Sequence, residues 1–232
     1  MKWEIVHIDE TDSTNRWLRE NAQGDCVVVA EYQTAGRGQG SNSWESERGK
    51  NLLFSMLYHP RLIPANRQFS ISMAISLAIA DALGEQIGDV SIKWPNDIYW
   101  RNGKIGGILI ENQLSGSSIK DSIIGVGINV NQQQFHSDAP NPVSLWQIHG
   151  YETDRELLLN NILDRFSEYI GKDVKERYMG MLYRRRGFHP YCDEEGAFMA
   201  ELKNVEDDGH LLLSDENGRE RRYAFKEVSF IL

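Results

Sequence analysis

The segment Ala35-Gly36-Arg37-Gly38-Gln39-Gly40 has the composition of an anion-binding loop. Its glycines allow backbone amides to face an anion, and the guanidinium of Arg37 adds a planar, permanently charged set of donors. The segment is not a dinucleotide-binding fingerprint, because the GxGxxG spacing is absent, and the chain contains no GxxxxGK[ST] phosphate loop. The simpler interpretation is a flexible surface loop.

Two further segments place a lysine beside groups that suit a ligand. Lys93-Trp94-Pro95-Asn96-Asp97 ends an apolar strand and presents a lysine, an amide and a carboxylate, although an Asp at such a turn is often only a cap. Lys104 begins a strand that continues through Gly106 and Gly107. Glycines inside a strand mark close approach by a ligand or another backbone, whereas a solvated edge charge is the alternative for Lys104.

The segment Gly125-Val126-Gly127-Ile128-Asn129 repeats the glycine signal. Alternate glycines leave one face of a strand bare, so a flat group can lie against that face. A β-bulge or a tight bend is the alternative explanation. Together with the two lysine segments, this strand predicts a site for a flat, anionic ligand.

The chain lacks the signatures of a protein nucleophile or a catalytic zinc. Its six histidines form no HExxH pair, and there is no GxSxG segment. The two cysteines, Cys26 and Cys192, lie far apart in the sequence and form no CxxC pair, which excludes a disulfide framework and a structural zinc site. This combination favours a reaction between bound substrates that the protein holds and stabilises by charge.

The composition bounds the class of protein. The chain has 232 residues, 41% of them hydrophobic, with 25 basic against 34 acidic side chains and a formal net charge of −9. These values exclude wholesale disorder, and the acidic balance argues against nucleic acid as the main partner. We find no signal peptide and no apolar run of about 18 residues, so we expect no membrane association and a cytoplasmic protein.

The order of elements predicts an α+β fold with a mixed sheet and helices on one face. Strands are expected near 3–8, 27–30, 52–58, 90–94, 98–100, 104–111 and 119–130, and helices near 13–23, 68–83, 153–170 and 173–183. Thr153 and Glu156 are expected to form a capping box. After Arg186 short strands alternate with turn residues, so we expect domains at 1–186 and 187–232, the second a small antiparallel barrel.

Five segments occur in an order that resembles the biotin–protein ligases (biotin–[acetyl-CoA-carboxylase] ligases). They are Ser13-Thr14-Asn15, 33–38, 93–97, 104–109 and 125–129. The resemblance is strong over about residues 7–131 and weak over the tail. It implies a catalytic domain of the class II synthetase-like type and an SH3-like C-terminal β-barrel.

The resemblance also implies a reaction in two steps. ATP and biotin are the substrates, with Mg²⁺ on the phosphates, and biotinyl-5′-AMP is the intermediate. The acceptor is a lysine on the biotin carrier domain of a biotin-dependent carboxylase. A homodimer is compatible with the sequence but is not implied by it.

Residue roles follow from the same resemblance. Lys104 and Arg37 are the expected catalytic residues, because they would hold the biotin carboxylate and the α-phosphate together. The expected biotin-binding residues are Ser13, Thr14, Gln33, Gly36, Arg37, Lys104, Gly107, Gly125 and Gly127. The expected nucleotide-binding residues are Arg37, Gly38, Gln39, Trp44, Asn96, Asp97, Lys104 and Asn129, with Asp97 as a ligand of Mg²⁺.

The sequence departs from the family at two points. Many members carry a second arginine where this chain has Gln39, so we expect faster escape of the adenylate, to be checked by trapping the intermediate. Some bacterial members carry an N-terminal helix-turn-helix domain, and Ser13-Thr14 leaves no room for one, so direct DNA repression is not expected.

Two other functions stay open at this point. One is a lipoate or octanoate ligase or transferase of the related fold, although no RRxxGG-type segment is present. The other is a non-catalytic biotin-binding module, against which the presence of both Arg37 and Lys104 argues.

Overall fold

Two β-sheets organise the chain in a computed structural model that describes residues 2–40, 42–137 and 139–232. The first sheet consists of β1 (Glu4–Thr11), β2 (Cys26–Gln33), β3 (Leu52–Tyr58), β4 (Val90–Lys93), β5 (Asp97–Trp100), β6 (Gly103–Ser115) and β7 (Ser118–Ile128). Its strand order is β1-β2-β3-β7-β6-β5-β4. β1 and β2 pair in parallel and the other neighbours are antiparallel, which confirms the predicted mixed sheet.

The main core lies between one face of this sheet and four of the helices. These helices are α2 (Phe69–Ile87), α3 (Leu145–His149), α4 (Arg155–Tyr169) and α5 (Lys175–Gly180). α2 is apolar on nearly all sides and packs against the sheet, and α4 packs across α2. Strand residues such as Val27, Phe54 and Ile124 point into this core. None of the helices in the described part of the chain is long and apolar enough to cross a membrane.

α1 (Thr14–Asn21) lies on the opposite face, so the prediction of helices on one face is wrong for this element. Leu18 of α1 packs with Cys26, Val28, Leu57 and Ile123 in a separate small cluster. The apolar run Val27–Ala30 has hydrophobic residues on both faces, because both faces of β2 are covered. Beside α1, the same face of the sheet stays uncovered over β6 and β7.

The bounds of all four expected helices differ from the predicted ones, and two of these differences have a clear physical reason. Asp154, not Thr153, caps α4, since its side chain accepts hydrogen bonds from the backbone N–H groups of Glu156 and Leu157. The backbone N–H of Thr153 instead donates to Asn131 Oδ1 at 2.8 Å. α2 continues through Gly84 to Ile87, because packing on both sides of a buried helix outweighs the lower helix propensity of one glycine.

The second sheet is antiparallel and five-stranded, consistent with the expected SH3-like unit. It contains β8 (His189–Asp193), β9 (Gly196–Val205), β10 (Leu211–Asp215), β11 (Glu220–Tyr223) and β12 (Ser229–Phe230), in the order β11-β10-β9-β8-β12. Its apolar residues join the main core. Trp94 Nε1 donates to the carbonyl oxygen of Gly209 at 2.9 Å, and Phe225 packs edge-on against Trp94. The domain boundary at Arg186 stays a prediction.

Candidate functional site

A cavity opens on the α1 face of the first sheet, between α1, the loop 34–50 and strands β5, β6 and β7. Thirteen of the fifteen predicted site residues line it: Ser13, Thr14, Gln33, Arg37, Gly38, Gln39, Trp44, Asn96, Asp97, Lys104, Gly107, Gly125 and Gly127. The residues that prediction did not include are Asn15, Asn42, Ser43, Ile108, Leu109 and Val126. The fold therefore brings segments from across the first 127 residues to one place.

The inner wall of the cavity is a chain of polar contacts. The backbone N–H and the hydroxyl of Thr14 donate to Gln33 Oε1 at 2.8 and 3.1 Å. Ser55 Oγ lies 2.7 Å from Thr14 Oγ1 and 2.6 Å from Asn15 Oδ1. Asn15 Nδ2 donates to Glu111 at 2.8 Å. These contacts hold hydroxyl and amide groups in place, as binding of a urea-like group with donors and an acceptor requires.

Sequence reasoning missed Asn15, which lines the cavity, and Ser55, which lies behind the wall and supports it. Both are buried. A signal for Ser55 existed, because it is a hydroxyl residue inside the otherwise apolar strand Leu52–Tyr58, where a buried hydroxyl needs a partner. Asn15 belongs to the predicted segment Ser13-Thr14-Asn15. Its amide gains its partners Ser55 and Glu111 only because α1 packs against β3 and β7.

A β-bulge turns Lys104 into the cavity. β5 and β6 pair Ile98 with Gly106 and Tyr99 with Lys104, so Ile105 is the extra residue. Ile105 joins the main core, and Lys104 then faces the same side as Asp97 and Gly107. Lys104 Nζ lies 2.6 Å from Asp97 Oδ1, with 27% and 18% of the two side chains exposed. Simple alternation along β6 would have pointed Lys104 toward the core.

The second predicted cation, Arg37, is also paired with a carboxylate. Its Nη2 lies 3.7 Å from Glu111 Oε1, and Arg19 Nη2 of α1 lies 3.0 Å from the same oxygen. Glu111 thus contacts Arg37, Arg19 and Asn15, a role that sequence reasoning did not predict. The charges of both expected catalytic cations are partly compensated within the protein.

Lys93 adds a third cation close to Asp97. Its Nζ lies 5.2 Å from the centre of the Tyr99 ring and 5.0 Å from that of Phe230. Burial lowers the pKa of Lys93, while the charge of Asp97 acts in the opposite direction. Lys93 and Lys104 therefore both lie close to Asp97, and Arg37 lines the same cavity beside Glu111. Such a group of cations suits anionic ligands.

The chain's own side chains occupy the space over the alternate glycines. A Cβ atom at Gly127 would lie 2.5 Å from Cε2 of Trp44, and one at Gly107 would lie 3.0 Å from its Cζ3. A Cβ at Gly125 would overlap Asn15 Oδ1. The flat group against the bare strand face is thus the indole of Trp44, whose Nε1 is buried and has no hydrogen-bond partner among the described residues.

Gly36 and Asn129 do not line the cavity. Gly36 accepts a hydrogen bond from the backbone N–H of Trp44 at 2.9 Å, and so shapes the loop. Asn129 is buried, and its side-chain amide donates to the carbonyl oxygen of Val143 at 3.1 Å and to that of Lys104 at 3.4 Å. The structure thus gives Asn129 contacts that support the backbone of Lys104 and not a place in the cavity wall.

The donor set fits a magnesium ion only in part. Asp97 offers a carboxylate, the oxygen ligand that Mg²⁺ prefers, and Oδ1 is already used by Lys104. Among the described residues, the one group of three possible ligands within reach of one another is Glu206, Asp208 and His210, which lies in the turn between β9 and β10. Asp97 suits an ion whose other ligands are substrate phosphates and water.

Comparisons with known proteins match this architecture. The biotin/lipoate A/B protein ligase family profile matches residues 7–129. The bifunctional ligase/repressor BirA of Bacillus subtilis is 31% identical over 243 aligned positions, which cover 95% of this chain and 72% of that protein. The biotin–[acetyl-CoA-carboxylase] ligase of Paracoccus denitrificans is 31% identical over 68% of this chain and 70% of its own length.

Solved structures agree with the sequence matches. The biotin protein ligase from Aquifex aeolicus in complex with biotin and ATP superposes with a TM-score of 0.80 at 28% identity, over 97% of both chains. The family profile covers more than half of the chain, including every segment that lines the cavity. The chain therefore belongs to the biotin/lipoate A/B protein ligase family.

Proposed function

We propose that this protein attaches biotin to a lysine of a biotin carrier domain, using ATP and passing through biotinyl-5′-AMP. The relatives named biotin–[acetyl-CoA-carboxylase] ligase and the fold shared with a biotin- and ATP-bound ligase support the proposal. The observation that carries it is the bulge that turns Lys104 into a cavity that is lined both by hydroxyl and amide groups and by the cations Lys104 and Arg37.

The chemistry needs cations more than it needs a nucleophile. In the first step a biotin carboxylate oxygen bonds to the α-phosphorus of ATP, and the bond to the leaving pyrophosphate breaks. In the second step the lysine amine bonds to the biotin carbonyl carbon, AMP leaves and the amine loses a proton. Before the first step the biotin carboxylate and the triphosphate of ATP, which are both anionic, must approach each other. A cation about 4 Å from such a charge stabilises it by about 4 kcal/mol at an effective dielectric constant of 20.

The side chains divide this work between the two substrates. Thr14, Gln33 and Ser13 would hydrogen-bond the ureido group of biotin at the polar wall. Lys104 and Arg37 would exchange their carboxylate partners, Asp97 and Glu111, for the biotin carboxylate and the α-phosphate.

At the nucleotide end, Trp44 would pack against the adenine, and Asn96 and Asp97 would face the phosphates. Mg²⁺, when bound by Asp97 and the phosphates, would neutralise part of their charge.

The decisive experiment is the Lys104→Ala variant, assayed by biotin-dependent ATP–pyrophosphate exchange and by transfer of labelled biotin to a carrier domain. We expect both rates to fall at least about 100-fold, because an electrostatic group aimed at the reacting atoms is removed. Lys120→Ala is the matched control, since Lys120 is exposed on β7 and does not line the cavity. Near-normal exchange by Lys104→Ala would overturn the assignment.

The same assay separates the alternatives. Exchange that depends on lipoate or octanoate and not on biotin would identify the related lipoate ligase activity. Biotin binding without any exchange would identify a binding module. Acceptance of a carrier domain, a possible homodimer and a cytoplasmic location stay predictions from the sequence.

A further inference from the structure

The turn between β11 and β12 brings a lysine of the second sheet against the glycine-rich loop. A Cβ atom at Gly40 would overlap Lys226 Nζ and would lie 3.2 Å from its Cε. The ammonium group therefore sits directly over the backbone of Gly40. Gln39, the preceding residue, lines the cavity of the proposed ligase site. The two parts of the molecule thus meet at the rim of that site.

The turn holds this lysine in an unusual backbone conformation. The backbone N–H of Glu227 donates to the carbonyl oxygen of Ala224 at 3.2 Å, and the Glu227 carboxylate accepts from the N–H of Ala224 at 2.6 Å. Lys226 has φ +73°, a left-handed conformation in which glycine is favoured. Residues in such conformations persist where their surroundings hold them, and they are frequent at ligand-binding sites.

A second, smaller cavity connects this turn to the main site. Phe225, next to Lys226, lines it together with Gln39, Asn96 and Ser76. Gln39 and Asn96 line the main cavity as well, so the two spaces adjoin. The hydroxyl of Ser76 is completely buried and has no hydrogen-bond partner in the described part of the chain. A buried hydroxyl without a partner thus borders the side of the site where Asn96 and Asp97 are expected to meet phosphates.

Lys226 differs in its charge balance from the expected catalytic cations. Lys104 and Arg37 each face a carboxylate, whereas Lys226 is exposed and takes part in none of the ion pairs found within residues 2–40, 42–137 and 139–232. The neighbouring loop residue, Gln39, is uncharged. An ammonium group on a flexible stem is a suitable point charge for a phosphate.

From these observations we infer that Lys226 binds the phosphates of the nucleotide, so that the second sheet completes the ATP site. The inference rests on the proposed ligase function. It assigns the C-terminal sheet a binding residue and explains why a lysine occupies a turn position that favours glycine.

The test compares variants of the full chain in biotin-dependent ATP–pyrophosphate exchange. We expect Lys226→Ala to raise the KM for ATP about tenfold, the effect of losing one charged hydrogen bond, with the Kd for biotin unchanged. Lys203→Ala is the matched control, because Lys203 is another exposed lysine of the second sheet and pairs with Glu201. Adding Gln39→Arg to Lys226→Ala should restore most of the ATP affinity.

Lys226→Gly separates binding from folding. Glycine suits φ +73°, so this variant should unfold at a higher urea concentration than the wild type, yet it should show the same rise in the KM for ATP. A lysine that only supported the fold would not give a higher stability together with a higher KM for ATP when it is replaced by glycine. If Lys226→Gly keeps the wild-type KM for ATP, the inference is wrong. If the wild type shows no biotin-dependent exchange at all, the proposed function itself fails.

Discussion

Ser55 and Ser76 are both completely buried, and their surroundings give them opposite roles. Ser55 Oγ touches Thr14 Oγ1 and Asn15 Oδ1, and through them it supports the polar wall of the cavity. Ser76 Oγ has no partner in the described ranges. A buried hydroxyl stabilises a structure only through its hydrogen bonds, so the two serines should respond differently to the same substitution.

We predict that Ser55→Ala lowers the free energy of unfolding by about 1–3 kcal/mol, because Asn15 and Thr14 lose a buried partner. Biotin should also bind more weakly, since the Thr14 hydroxyl loses its support. Ser76→Ala should change stability by no more than about 0.5 kcal/mol. Urea unfolding and titration calorimetry with biotin measure both effects. Equal losses in the two variants would contradict this account.

Among the elements, β6, β7 and α1 set the shape of the site through close approach. The bulge at Ile105 rotates Lys104 to the cavity side of β6, and the absence of a side chain at Gly125 of β7 admits Asn15 of α1. By contrast, at Gly84 inside α2 no atom outside the adjacent residues and the helix's own backbone lies within 4 Å of the place where a Cβ would lie. The same residue type is therefore required in β7 and dispensable in α2.

Gly125→Ala should displace Asn15 and with it the first turn of α1. We expect a loss of about 1–3 kcal/mol in the free energy of unfolding, as for other overpacked sites, and weaker biotin binding. Gly84→Ala should instead stabilise the protein by about 0.5–1 kcal/mol, because alanine has the higher helix propensity and empty space receives its methyl group. Chemical unfolding of both variants tests the contrast, and a stable Gly125→Ala would refute it.

At the scale of the whole molecule, one core joins the two sheets, and a network around Arg221 stabilises the second. Arg221 contacts Asp193 at 3.0 Å and Asp215 at 3.1 Å, and all three side chains are largely buried. Burial alone would raise the pKa of Asp193, but hydrogen bonds from Tyr223 and Arg221 and the charge of Arg221 lower it. The pKa of Asp215 is lowered as well, against the effect of burial.

This network predicts how stability depends on pH. A carboxyl group with a lowered pKa in the folded state contributes stability above its unfolded value, about 3.9, and this contribution is lost as the pH falls through the folded value. Arg221→Gln should therefore be less stable than the wild type at pH 7, and the gap should shrink below about pH 4. Urea unfolding of the variant and the wild type at pH 7 and below about pH 4 measures the two differences in stability. Arg219→Gln is the control, since the exposed pair of Arg219 with Glu195 contributes little. A gap that is constant with pH would disprove the mechanism.

Local features of the chain were readable from the sequence. The strand at 52–58 was predicted with its observed bounds, and Asn102-Gly103 marked the turn between β5 and β6. Thirteen of the fifteen expected site residues line one cavity, although their roles stay predictions. These features depend on turn chemistry, hydrophobic period and recognisable segments, all of which act between neighbours in the chain.

Other features were decided only by tertiary structure. Three features depend on segments that are distant in sequence. They are the position of α1 on the sheet face opposite the main core, the bulge at Ile105 and the ion pair of Arg37 with Glu111. The approach of Lys226 to Gly40, which brings the second sheet against the glycine-rich loop, depends on such segments as well. The physical reason is that side-chain direction and charge pairing follow from which surfaces pack together, and many long-range packings are compatible with the same local pattern.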